Sequence, residues 1–316
     1  MTRGLVVRLV ALVSLGLALA GCGGRAEPAT LRIGVLPILD TLPMYVATEE
    51  GSFVEHGVEV VFVTAASAAE RDQLLQAGEV DGIITDLVAL ALYNRDDARV
   101  VAVRYAMTPT PEFAQFRVLA SRPSEIVSPE ELAGVEIGVS EGTVIEYVTD
   151  RMLEAQGLSP GEIATLAVPR IPERMALLGS GELSAATLPE PLASLAMQDG
   201  AVVVVDDREH IETSCSVYAF RKEILDEHPD AVGGFLAAVS EASKQINADK
   251  DRWSDLLGEK ELVPRPLMGS YQLPDYPGDE VPSTAQFSDA VNWLQETGLL
   301  TQGPSYVDSV DSSFLP

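Results

Sequence analysis

From Thr30 to Phe220 short apolar runs alternate with helix-length amphipathic stretches, which restricts the chain to folds built from βα units around a mainly parallel sheet. Residues 31–36, 58–63, 81–85 and 100–103 read as strands. Helices fall at 42–50 and 68–77, each stopped by a glycine, Gly51 and Gly78. Asp86 stands where it can cap the helix after the third strand. Residues 105–112, rich in Thr and Pro, read as a linker. A second series follows, with strands at 116–120, 135–139, 163–168, 185–188 and 201–205 and a helix at 144–156. A turn-like charged stretch, 206–212, precedes a strand at 216–220 that returns the chain to the first lobe. Beyond Phe220 the pattern becomes helical, with helices at 230–248, around Trp253, and at 284–297 after a Pro-rich stretch. The expected fold class is α/β: two doubly wound lobes joined by a hinge, with C-terminal helices. Lobe 1 takes residues 31–115 and 213–316, and lobe 2 takes 116–212. The lobes echo each other, since Gln76-Ala-Gly-Glu-Val-Asp-Gly-Ile-Ile-Thr-Asp86 parallels Leu178-Gly-Ser-Gly-Glu-Leu-Ser-Ala-Ala-Thr-Leu188.

Ahead of this body, Arg3 and Arg8 precede an uncharged apolar stretch from Leu9 to Ala20, too short to span a bilayer and of signal-peptide length. Leu19-Ala20-Gly21-Cys22 closes it and looks like a bacterial lipobox. The expectation is a signal peptide over 1–21, a lipidated Cys22, and a flexible tether over 22–30 that lifts the body off the membrane. Cys215 is the only other cysteine, so no disulfide forms within the mature chain, and its apolar surroundings in sequence suit a buried thiol. The formal charge is −27, from 48 acidic and 21 basic residues. A body this acidic repels nucleic acid and anionic surfaces, which argues against a DNA or RNA partner.

Several short pieces, in order, resemble type II periplasmic solute-binding proteins of ABC importers, and most closely the subfamily for nitrate, taurine, aliphatic sulfonates and thiamine-precursor pyrimidines. They are Gly34-Val-Leu-Pro37, Met44-Tyr-Val-Ala47 with Glu50-Gly51, Gly57-Val-Glu-Val60, Ala77-Gly-Glu-Val-Asp81, Leu132-Ala-Gly-Val-Glu-Ile-Gly-Val139, Pro189-Glu-Pro191 and His228-Pro229. The resemblance implies a lipid-anchored, extracytoplasmic monomer without cofactor or metal. Such a protein closes two lobes on a small solute and hands it to a permease in the cytoplasmic membrane.

In open α/β sheets ligands sit beyond the carboxyl ends of strands, near helix N-termini. The candidate ligand residues there are Asp40, Thr41 and Tyr45 after the first strand, Ser67 after the second, and Thr85 and Asp86 after the third. Ser140, Gly142 and Thr143 open a helix of the second lobe, and Glu190 stands between two prolines after another strand. Tyr105 and Tyr218 fall in hinge strands where a ring can sandwich a flat solute. None of these loops carries Arg or Lys, while Asp40, Asp86, Glu141 and Glu190 suit a donor-rich solute. The first expectation is therefore an aminopyrimidine or similar heteroaromatic, and the second a sulfonate-, taurine- or nitrate-like anion held by helix N-termini. For catalysis the sequence offers little. His56, His210 and His228 are isolated, and no GxSxG elbow or phosphate loop occurs. The pyrimidine-synthase enzymes that share the lobed fold consume a lysine-bound cofactor, whereas all four Lys here fall from Lys222 onward.

Overall fold

The computed structural model describes residues 29–65 and 67–316, so Cys22, the 1–21 segment and the 22–28 part of the tether lie outside the described residues. Among the described residues ten strands make two five-stranded sheets. The first holds β1 (Ala29–Val35), β2 (Val58–Thr64), β3 (Gly82–Asp86), β4 (Val100–Met107) and β10 (Ser216–Arg221), in the order β2-β1-β3-β10-β4. The second holds β5 (Phe116–Ala120), β6 (Glu136–Val139), β7 (Ala164–Ala167), β8 (Ala185–Pro189) and β9 (Val202–Asp206), in the order β7-β6-β8-β5-β9. These are the two α/β lobes that the alternation predicts.

The sheets are more mixed than a mainly parallel reading allows. β1 pairs in parallel with β2 and β3, but β10 is antiparallel to β3 and β4. The second sheet repeats this, with β6 parallel to β7 and β8 and β5 antiparallel to β8 and β9. The reason is the crossing. A strand of a βα unit ends at the inter-lobe face, whereas β5 and β10 arrive from the other lobe and begin there. Each is inserted backwards into the sheet it joins.

The linker also starts later than the sequence suggests. β4 runs to Met107 because its pairing with β10 continues through Tyr105 and Met107, so Tyr105 is a buried strand residue. Gly82 shows why the centre of that sheet needs a residue without a side chain: a Cβ there would lie 2.7 Å from the Phe220 ring on the neighbouring strand. Trp253 ends a 3-10 turn, Asp251–Trp253, and the helix begins one residue later, at Ser254–Glu259.

Two large apolar clusters, and a smaller one around Leu119, Leu178 and Leu188 in the second lobe, hold the described residues together. One buries Phe235, Leu236 and Val239 of the Pro229–Ala248 helix against the first sheet. The other runs from the Leu87–Tyr93 helix of the first lobe, through the Val144–Ala155 helix of the second, to the Thr284–Glu296 helix. That last helix is tied to the second lobe by polar contacts. Tyr147 donates to Asp289 at 2.7 Å, Trp293 Nε1 to Asp150 at 2.7 Å, and Arg151 Nε to Asp289 at 3.0 Å. Asp207 clamps the crossings: it accepts the backbone N–H of Gln115 at 2.8 Å and of Phe116 at 3.1 Å on the outgoing segment, and the Ser214 hydroxyl at 2.5 Å on the return.

Candidate functional site

A cavity of about 470 Å³ opens between the lobes, where the carboxyl ends of the βα strands face each other. The first lobe contributes Asp40, Arg71, Thr85 and Asp86, and the second contributes Val144, Ile171 and Glu190. Leu262 to Arg265 complete the wall from the C-terminal part. Four sequence-predicted residues therefore meet here: Asp40, Thr85, Asp86 and Glu190.

Asp40 lies on a 3-10 turn, Leu39–Thr41, and accepts the Ser216 hydroxyl. Ser216 in turn faces Asp86 across the β3–β10 ladder, so the two carboxyls flank one serine. Asp86 caps the Leu87–Tyr93 helix by accepting the Ala89 N–H at 2.9 Å, the role its position predicts. Burial pushes both carboxyls above the usual range, opposed at Asp40 by the Ser216 hydrogen bond and at Asp86 by the Ala89 bond and by Arg71. Beside them, Gln115 Oε1 is buried without a hydrogen-bond partner, and Thr85 Oγ1 has the Tyr93 hydroxyl as its hydrogen-bonding neighbour. Cys215 lines the same wall, and burial followed by the nearby Asp86 pushes its thiol up, so it is held as an inert thiol.

Glu190 does not stand free. Arg117 ion-pairs with it, approaches Asp206 at 3.9 Å, and is itself largely buried. Tyr271 from the C-terminal part donates to the other Glu190 oxygen at 3.3 Å, a bond that bridges the lobes. Burial raises the Glu190 carboxyl and Arg117 opposes that rise. Arg117 is the one charged residue in the strand Phe116-Arg-Val-Leu-Ala120, a signal the sequence did carry.

Two guanidiniums missing from the cleft loops also reach this cavity. Arg71 comes from inside the Ala68–Gln76 helix, with Nε and Nη2 on Asp72 at 2.9 and 2.8 Å and Nη1 on the Ile84 carbonyl at 2.8 Å. Arg265 comes from the Pro-rich stretch and is exposed. Absence of cations from the loops therefore does not make the cavity purely acidic.

The other predicted residues lie off the cavity wall because their polar atoms are spent locally. Thr41 is fully buried and donates to the Ile38 carbonyl at 2.6 Å. Tyr45 packs edge-on against Phe62 with Lys260 over its ring. Ser67 caps Glu70 at 3.2 Å. Tyr105 donates to Gln286 at 2.7 Å, and Tyr218 lies buried in the core, its hydroxyl 3.4 Å from the Asp40 carbonyl. In the second lobe the Gly142 N–H is taken by Glu146 at 2.6 Å, and Thr143 caps Ile145 at 3.2 Å. The Ser140 hydroxyl accepts from Arg174 at 2.5 Å, and Glu141 is exposed. Among the described residues no group of three or more His, Cys, Asp and Glu is arranged to hold a metal ion, and no helix is long and apolar enough to cross a membrane.

A sequence profile of the NMT1-like family matches residues 24–256, most of the chain and every cavity-wall residue from Pro37 to Ser216. The chain belongs to the NMT1-like family. Among relatives, this NMT1-like chain is similar to the taurine-binding periplasmic protein of Escherichia coli, at 25% identity over 194 residues. That alignment covers 60% of this chain and 57% of the relative, so the chain spans just over half of the protein it matches. Its fold is that of the periplasmic aliphatic sulphonate binding protein of Escherichia coli, with a TM-score of 0.77 at 19% identity, covering 89% of this chain and 92% of that one. The periplasmic nitrate-binding protein of Synechocystis has the same fold, with a TM-score of 0.70 at 15% identity over 90% and 86% of the two chains. The family match stops before residues 258–265, so the segment that carries Arg265 lies outside it.

Proposed function

We propose that this protein is the extracytoplasmic solute-binding component of an ABC importer and has no enzymatic role. In this reading lobes 31–115 with 213–316 and 116–212 close on a small acidic solute, an aliphatic sulfonate, taurine or a nitrate-like anion, and present it to a permease in the cytoplasmic membrane. The chain acts as a monomer, exported by its 1–21 segment and tethered through a lipidated Cys22. The observation that carries the reading is the inter-lobe cavity, walled by both sheets at the carboxyl ends of their strands. Arg265 on that wall, together with the solutes named for the relatives, favours the anion ahead of the aminopyrimidine that the loops suggest. The aminopyrimidine stands second, supported by Asp40 and Asp86 on the first-lobe wall.

Calorimetry on the mature chain with Cys22 replaced by Ser, titrated with taurine, butanesulfonate, nitrate and an aminopyrimidine, tests the solute. Micromolar binding of at least one of the first three is expected; tight binding of the aminopyrimidine alone reverses the order. Anchoring is tested separately: radiolabelled palmitate incorporated by the wild type and lost in Cys22→Ala supports the lipid, and labelling of both proteins removes it.

A further inference from the structure

Apolar side chains make up most of the cavity wall, and its polar groups are largely spent on the protein itself. Asp40 holds the Ser216 hydroxyl, and Arg71 is committed to Asp72 and the Ile84 carbonyl. Three helices open on this cavity, and their first N–H donors are taken as well. Asp86 accepts those of Val88 and Ala89, Glu146 and Thr143 hold those of Gly142 and Ile145, and the Glu190 carboxylate accepts that of Ser194. A bare anion wants a cation or several free donors, so this interior suits one poorly. Arg265 and Glu261 are the exposed charges of the wall, and Arg265 makes no ion pair or side-chain hydrogen bond among the described residues. The apolar part of the wall is left wanting. Ile38 and, from the second lobe, Val144, Ile171 and Leu192 are only half-buried, and Leu192 belongs to none of the three apolar clusters. Leu262 and Val263 join them from a segment that the family profile does not reach. At about 30 Å³ per water, a cavity of about 470 Å³ has room for roughly fifteen waters. Nitrate or taurine fills a small part of that space and leaves these side chains wet. A ring system or a medium-length alkyl chain fills it and takes their surface out of water.

We propose that Ile38, Val144, Ile171, Leu192, Leu262 and Val263 form an apolar subsite for the carbon body of an amphiphilic acid, an aryl or medium-chain alkyl group, with the acid itself left at the rim beside Arg265. The cleft then discriminates by the size of the apolar body, and bare or short acids such as nitrate and taurine are poor solutes. This rests on the solute-binding reading and narrows it to acids with a large apolar part.

A homologous series gives the test: ethane-, butane-, hexane- and octanesulfonate, with naphthalenesulfonate, taurine and nitrate beside them, titrated calorimetrically into the unlipidated mature chain. Affinity is expected to rise about threefold with each added methylene, and at least about tenfold from butane- to octanesulfonate. Naphthalenesulfonate binding tighter than octanesulfonate supports the subsite as one for rings, and the reverse order supports it as one for chains. Leu192→Gln and Val144→Thr are expected to flatten the dependence on length. Arg265→Ala should keep that dependence and weaken every member by one common factor, roughly threefold. No effect of Arg265→Ala overturns the placing of the acid. An affinity independent of length, or taurine or nitrate binding as tightly as octanesulfonate, overturns the subsite and leaves the importer reading standing. A dependence unchanged in both Leu192→Gln and Val144→Thr puts the carbon body elsewhere and also overturns it. Binding of no member, taurine and nitrate included, overturns the subsite and the sulfonate reading together. The wild-type series alone decides the matter if the variants fail to fold.

Discussion

Aligning the Gly78-Glu79 turn of the first lobe with Gly181-Glu182 of the second places Arg71 on Arg174. The two side chains do the same mechanical job: Nη1 of each donates at 2.8 Å to a strand carbonyl, Ile84 in β3 or Thr187 in β8. Each thereby ties a helix to the strand end that faces the cavity. Their electrical surroundings differ. Arg71 shares its charge with Asp72 and stands beside Tyr93, whereas Arg174 donates only to neutral oxygens: the Val168 carbonyl twice, Thr187 and Ser140. Burial lowers the Arg174 guanidinium to about 10, still protonated at neutral pH. The repeated architecture fixes where an arginine goes, and the side chains around it decide whether its charge is cancelled or left over. The two lobes thus hold the same arginine in opposite electrical surroundings.

The largest test of this contrast is stability. Arg174→Met strands three buried acceptors, so it should cost about 3–5 kcal/mol in urea unfolding of the mature chain. Arg71→Met leaves Asp72 bonded to the Tyr93 hydroxyl and partly open to water, and should cost about 1–2 kcal/mol. Equal losses would mean that the missing counter-charge at Arg174 has no energetic consequence.

This difference was hidden from the sequence for a physical reason. Strand and helix positions follow from local period and glycine stops, so the β1 and β5 regions, the Asp86 cap and the return strand at Ser216 were all legible there. Arg71 and Arg174 look like ordinary surface charges of amphipathic helices, and only the packing of helix on sheet buries them. Arg117 meets Glu190 through the register of β5 against β8, which no local pattern encodes. The Ser140–Thr143 turn looked rich in donors, but helix caps consume such donors first. The stretch bearing Arg265 lacks any periodicity, so its place on the cavity wall was invisible.

A second contrast lies at the crossings, where the first lobe is joined to the second through one buried acid. Burial lifts the Asp207 carboxyl to about 7, with the Ser214, Gln115 and Phe116 hydrogen bonds opposing it. An unfolded aspartate titrates near 3.9, so between these values the folded state binds the extra proton. The contribution of this group is therefore greatest below about pH 4 and is lost as pH rises through 7. Raising the pH from 5 to 8 should destabilise the wild type by about 2 kcal/mol more than Asp207→Asn, measured by urea midpoints. The Asp150 carboxyl, raised to about 6 chiefly by burial, moves both proteins alike and cancels in the difference. Parallel pH profiles would show that the clamp keeps its carboxylate charged.

The echoed strands allow a finer comparison. Gly34 in β1 corresponds to Gly138 in β6, paired with Ile83 of β3 and Ala186 of β8 respectively. A Cβ at Gly138 would lie 2.8 Å from Leu183 Cδ1 and 3.3 Å from Arg174 Cγ, against 3.1 Å from Ile83 Cγ2 at Gly34. Gly138→Ala should therefore cost about 1 kcal/mol and disturb the Arg174 contacts, with Gly34→Ala costing roughly half as much. The reverse order would place the tighter packing in the first lobe.

The smallest effect concerns the bond that joins the lobes across the cavity. Tyr271 sits on the C-terminal part that packs with the first lobe, and Glu190 directly follows β8 in the second, so any separation of the lobes breaks their 3.3 Å contact. Tyr271→Phe removes that hydroxyl and nothing else, because Arg117 still satisfies Glu190. Folding stability should then change by less than about 1 kcal/mol, the net value of one neutral hydrogen bond. Solute affinity should fall by roughly threefold, since the closed form loses a contact that the open form never had. A matching loss in Glu190→Gln would tie the effect to the bond itself. An unchanged dissociation constant in Tyr271→Phe would instead assign closure to the apolar contacts of the second lobe with the C-terminal part.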